Sequence, residues 1–206
     1  MGAPAGGAGI TATPARPDEP PWVGRPHARW WPTLTVAVAI LVTTLGGWVA
    51  AAALVTPAGP PVGLTGVVSV QPLSGWQDAG RHEVAGAPFV RLTRGGGNLD
   101  VVAVMPFSGT NQQLGDAYVD RVLRSQLDRL SVSRRTTSVV LAGGSRALRF
   151  TYVGVASGTS QSIEGEVTVV IGSMGNGVVF DGWAPEGLLS FVEGDQHTMV
   201  FRAVVA

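Results

Sequence analysis

The chain has 206 residues with 14 basic and 14 acidic side chains. That balance excludes the broad positive field that binding to nucleic acid or to an anionic bilayer surface requires. The absence of cysteine excludes disulfides, thiolate zinc sites, thiol nucleophiles and a lipid-modified cysteine together.

Residues 1–29 are rich in Gly, Ala and Pro, with Ile10, Trp22 and Val23 as almost the only large apolar side chains. Such a segment cannot offset the entropy of ordering, so it is expected to be a disordered tail. Next comes an uncharged run from Trp30 through Leu54. At about 1.5 Å per residue it crosses a hydrocarbon core of about 30 Å, which predicts a transmembrane helix over 30–55. Arg16, Arg25 and Arg29 precede it and no basic residue follows until Arg81. This asymmetry predicts a cytoplasmic N-terminus and an extracytoplasmic C-terminal domain. Trp22, Trp30 and Trp31 stand where indole rings favour the headgroup layer, and Pro32 suits a first helical turn. A cleaved signal peptide ending near Ala50 to Ala53 is the competing reading, disfavoured by the long leader before the apolar run. Gly46 and Gly47 precede Ala50 and Ala51 by four, the spacing of a close helix–helix contact and hence of a weak homodimer. Residues 56–65 read as a stiff Pro/Gly linker, and the folded domain as 66–206.

Within that domain, 89–93 and 99–105 are strand-like runs joined by a glycine-rich turn. Residues 112–130 read as a helix, with Val119, Val122, Leu123, Leu127 and Leu130 as its apolar stripe. A second hairpin is expected from 134–141 and 146–153, in which Leu148, Phe150 and Tyr152 alternate with Arg149 and Thr151. Strands over 163–171 and 178–183 follow, then a helix over 195–203 with Asp195 as its N-cap. This order predicts an α+β fold, one antiparallel sheet packed by two helices. About 140 residues bury close to 70% of their unfolded surface, enough core for a domain without disulfides.

Catalytic chemistry is sparse. His82 and His197 are the histidines of the domain, and neither lies in a metal-binding spacing. The loop 154–158 lacks the spacing of a nucleophile elbow, and the glycines after Arg94 lack the Lys of a phosphate loop. Glu164 and Glu166 share a strand face, which solvated alternation explains. No catalytic residue, cofactor or metal is therefore expected, and the chain reads as a non-enzyme. The candidate partner-binding residues are Trp183 and Trp76, each preceded by Gly, with Arg134 and Arg135 at a strand start. A place in the core is the alternative for both tryptophans, and an exposed strand edge for both arginines.

Several of these residues form a pattern. A strand ending in Val70-Gln71-Pro72, then Gly75-Trp76, a hairpin, a long helix, the run from Val139 to Gly144, and the strand from Ala147 to Tyr152 together resemble the PsbP-like superfamily. Its members include DcrB-type and mycobacterial LpqN-type extracytoplasmic proteins. The resemblance implies an α-β-α sandwich and a non-enzymatic binding or assembly role at a membrane surface, on an actinobacterial-type protein. It departs from that pattern in its transmembrane segment, which stands where a lipidated cysteine would be. The expected function is a membrane-anchored extracytoplasmic protein-binding module, accessory to an envelope or secretion complex. The alternative is a carrier or sensor of a small apolar envelope ligand, whose mark would be a deep apolar pocket between sheet and helix.

Overall fold

The computed structural model describes residues 59–206. The predicted tail, the span over 30–55 and the contact through Gly46, Gly47, Ala50 and Ala51 lie outside them. Among the described residues no helix is long and apolar enough to cross a membrane.

Alternating apolar side chains build the main sheet. It contains β3 (Gln77–Val84), β4 (Ala87–Arg94), β5 (Gly97–Val104), β6 (Leu127–Val132), β7 (Thr137–Val140), β8 (Arg146–Ala156), β9 (Ser162–Ile171) and β10 (Gly177–Pro185). All its pairings are antiparallel, in the order β3-β4-β5-β10-β9-β8-β6, with β7 also on β8. A three-stranded sheet joins β1 (Val62–Leu64), β2 (Val68–Val70) and the final β11 (Val204–Val205). Strand β1 thus falls inside the segment read as linker. The β4–β5 hairpin closes through Gly95 and Gly96, both at positive φ (57° and 88°), the two-residue turn that matches strand twist.

Helix α1 covers residues 111–126 and is not uniform: Asn111–Tyr118 is α-helical, Val119–Leu123 is a π-turn and Arg124–Gln126 is α-helical again. Thr110 and Gln113 close a reciprocal capping box at its start. The predicted helix over 112–130 runs too far, because Leu127 already begins β6. Helix α2 (Glu193–Phe201) starts two residues before the predicted Asp195, and that side chain does not cap it. Instead Asp195 accepts from the Trp76 indole N–H at 3.0 Å and pairs with Arg94.

Period-two alternation gives the sheet two apolar faces. Leu92, Leu99, Val101, Val170, Val178 and Phe180 pack with Met199 and Val200 of α2 and with the small sheet. Phe89, Val102, Phe150, Val167, Val169 and Val179 pack with Leu114, Tyr118, Val122 and Leu123 of α1. The result is an α-β-α sandwich, and the α1 face carries the groups described next.

Candidate functional site

Three charged side chains form a row across the sheet beneath α1. Arg91 on β4 lies directly opposite Asp100 on β5, which lies directly opposite Asp181 on β10. Arg91 grips Asp100 with two parallel hydrogen bonds, Nε to Oδ1 at 2.6 Å and a terminal nitrogen to Oδ2 at 2.7 Å. Trp183, two residues beyond Asp181 and therefore on the same face, donates its indole N–H to Asp100 Oδ2 at 3.1 Å. The Arg91 guanidinium sits 5.2 Å from the centre of the Trp183 ring and 5.4 Å from that of Phe89.

Asp181 receives no cation. Its Oδ2 accepts from the Tyr118 hydroxyl at 2.7 Å and its Oδ1 from the Tyr152 hydroxyl at 2.9 Å. Tyr118 reaches it from α1, and Tyr152 from β8 across the intervening strand β9. Gly165 makes that reach possible: it is the cross-strand partner of Tyr152, and a Cβ there would stand 2.5 Å from the tyrosine ring. Burial, with the Asp100 charge second, pushes the Asp181 carboxyl up to about 7 against the pull of the two tyrosine hydrogen bonds. Burial likewise raises both tyrosine hydroxyls well above their usual value, so they stay protonated donors. The Asp100 hydrogen bonds raise Arg91 further, which keeps it cationic. With Arg91 and Asp100 cancelling, the ionised row holds one uncompensated negative charge, on Asp181.

Two recesses flank this row. A groove of about 340 Å³ opens between α1 and strands β3 to β5, with Val84, Val102, Val104, Phe107, Leu114 and Val122 among its walls and Arg121 at its lip. Its wall on the helix includes the π-turn, a distortion that recurs at functional sites. Among the described residues the exposed Arg121 makes no ion pair. The second is a cavity of about 150 Å³ lined by Leu123, Leu127, Tyr152, Ile163, Asp181 and Trp183, with Gln126, Ala156 and Gln161 completing it. Tyr118 joins the two, because it lines the groove while its hydroxyl serves the carboxyl of the cavity.

The four candidate residues are scattered. Trp183 belongs to the site as a partly buried wall. Trp76 is only 4% exposed and packs in the core on the opposite face, so it offers a partner no surface. Arg134 and Arg135 are exposed in the connection between β6 and β7, ahead of the strand they were expected to start. His82 packs on Phe89 at the sheet edge. His197 is half-buried on α2 and lies 2.6 Å from Glu166, which Arg149 also engages at 3.1 Å. Glu166, Glu193 and His197 could surround an ion, although two partners already occupy the Glu166 carboxylate. Sequence reasoning missed Arg91, Asp100 and Asp181. A signal existed, since each aspartate interrupts an otherwise apolar strand, as in Val178-Val179-Phe180-Asp181-Gly182-Trp183.

No family model matches the chain, and no curated protein matches its sequence. Among solved structures it is similar to the solution structure of cyanobacterial PsbP (CyanoP) from Synechocystis sp. PCC 6803. The identity is 14%, over 71% of this chain and 92% of that one, with a TM-score of 0.51. The Ran-binding protein Mog1p of Saccharomyces cerevisiae aligns at 11% identity over 73% of this chain and 96% of its own, with a TM-score of 0.48. PA94 of Pseudomonas aeruginosa aligns at 10% identity over 68% and 91%, with a TM-score of 0.43. At such identities the likeness concerns architecture alone. The described domain has a PsbP-like α+β fold.

Proposed function

We propose that the domain is a non-catalytic protein-binding module, held at the outer face of a membrane by the segment from Trp30 through Leu54 and accessory to an envelope complex. The observation that carries the binding reading is the groove beside α1. Its walls are largely apolar and its volume of about 340 Å³ suits one or two side chains of a partner, the anchor by which protein interfaces gain most of their energy. Arg121 at the lip favours an acidic residue next to that anchor. His82 and His197 line neither the groove nor the cavity. A second reading draws on the same groove: about 340 Å³ falls in the range of pockets for small molecules, so a small apolar ligand with an anionic end fits it as well.

A photo-crosslinking residue placed at Ala117, on the helix wall of the groove, tests the module reading in cells. A discrete protein adduct from Ala117, absent when the probe stands at exposed Thr159, is the expected result. An adduct of lipid or small-molecule mass alone would favour the carrier. Anchoring and orientation are tested apart from it, on a chain with no native cysteine. A cysteine at exposed Ser157 reacts with an impermeant thiol reagent in intact cells if the domain is outside, and only after lysis if it is inside.

A further inference from the structure

We infer that the cavity floored by Asp181 is a binding site for a primary ammonium group carried on a short aliphatic chain. The site goes beyond the groove and does not depend on the module reading. Three features of the cavity select this chemistry. The Asp181 side chain is only 3% exposed, lines the cavity, and is the one charge of its row that no cation neutralises. Both of its hydrogen-bond partners are tyrosine hydroxyls, so each carboxylate oxygen keeps a lone pair for a further donor. The walls above it are the aliphatic Leu123, Leu127 and Ile163 and the aromatic Trp183, which suit methylene groups and the face of a cation. Gln126 and Gln161, both exposed, leave the mouth polar and uncharged. An anionic or long-chain ligand meets the wrong charge or too little room, because about 150 Å³ holds a molecule on the order of the size of benzene.

Titration supports the same conclusion. The groups facing Asp181 are Asp100 from β5, Arg91 from β4, Tyr118 from α1 and Tyr152 from β8; burial first and Asp100 second raise its carboxyl to about 7 against the pull of the other three. A bound ammonium competes with the proton for that carboxylate. Affinity therefore weakens about tenfold for each pH unit below 7.

Two sources can supply the group: a free alkylamine, or a lysine side chain of a partner. The full-length chain is titrated at pH 8 with n-butylammonium, with n-butanol, and with a short acetylated peptide carrying one lysine, following the Trp183 indole N–H resonance. Saturable binding of the amine or the peptide, but not of the alcohol, is expected. The responding arm names the source. Asp181→Asn should weaken binding at least tenfold, and Ala156→Leu, which fills the cavity without touching the carboxyl, should abolish it. The second variant keeps the test decisive if the first does not fold. Binding of n-butanol equal to that of the amine, binding undiminished in both variants, or no response to amine and peptide alike would overturn the site.

Discussion

Asp100 and Asp181 face each other directly across β5 and β10, yet their carboxylates are stabilised in different ways: Asp100 by Arg91 and the Trp183 indole, Asp181 by two tyrosine hydroxyls. The difference sets the pH dependence of the fold. Folding raises the Asp181 carboxyl from its ordinary value to about 7, so the native state binds more protons than the unfolded chain between about pH 4 and 7. Stability is therefore highest below that window and falls as pH rises through 7. The full shift corresponds to a loss of about 4 kcal/mol. Asp181→Asn should remove most of this slope and melt higher than the native sequence at pH 8. Chemical denaturation of both at pH 5 and pH 8 checks it; parallel pH profiles would contradict the assignment.

Removing one hydroxyl from this carboxyl should matter most when it is ionised. Tyr118→Phe and Tyr152→Phe are each expected to cost about 1 to 3 kcal/mol at pH 8 and less at pH 5. Unfolding free energies at the two pH values measure the difference, and equal penalties at both would show that the hydroxyls do not serve a charged group.

Gly165→Ala probes how the site is assembled. The new Cβ would stand 2.5 Å from the Tyr152 ring, so the ring that carries one of the two hydroxyls on Asp181 must shift. Overpacking of this kind costs about 1 to 3 kcal/mol. Gly143→Ala, which meets nothing within 4 Å, should be nearly neutral. Thermal melts of the pair give the comparison.

Trp76 and the two arginines should separate by stability. Trp76→Ala empties a core position and removes the indole bond to Asp195, at about 3 to 5 kcal/mol. Arg134→Ala and Arg135→Ala touch exposed side chains and should stay within about 0.5 kcal/mol. Denaturation midpoints decide it.

The central strands of the sheet and both helices were legible because period-two and helical periodicities are local. Leu148, Phe150 and Tyr152 on β8 and the stripe of α1 from Val119 to Leu123 report their faces directly. Strand β3 was not legible: it reads Gln77-Asp78-Ala79-Gly80-Arg81-His82-Glu83-Val84, almost wholly exposed at a sheet edge, and carries no apolar alternation. Strands β1 and β11 are stabilised by pairing with β2 rather than by their own pattern. The extra reach of the predicted α1 has a similar cause, since Leu127 and Leu130 continue a helical spacing but pair on β8 or pack from β6. The row of Arg91, Asp100 and Asp181 depends on register between three strands, one of which, β10, is distant in sequence from the β4–β5 hairpin. Composition around each residue shows only a charge among apolar neighbours. Trp183 could be singled out because an aromatic residue near a strand end stands out without reference to other strands.

Recognition through the groove beside α1 is tested by blocking that groove. Ala117→Trp fills the groove from its helix wall, while His82→Ala and His197→Ala alter groups outside it. Affinity for the partner identified by crosslinking at Ala117 is measured for each variant, with a melting curve to confirm the fold. Ala117→Trp is expected to weaken binding by at least about 2 kcal/mol, close to thirtyfold, while the histidine variants bind as the native chain does. Undiminished binding by a folded Ala117→Trp protein, or loss of function in a folded histidine variant, would contradict it.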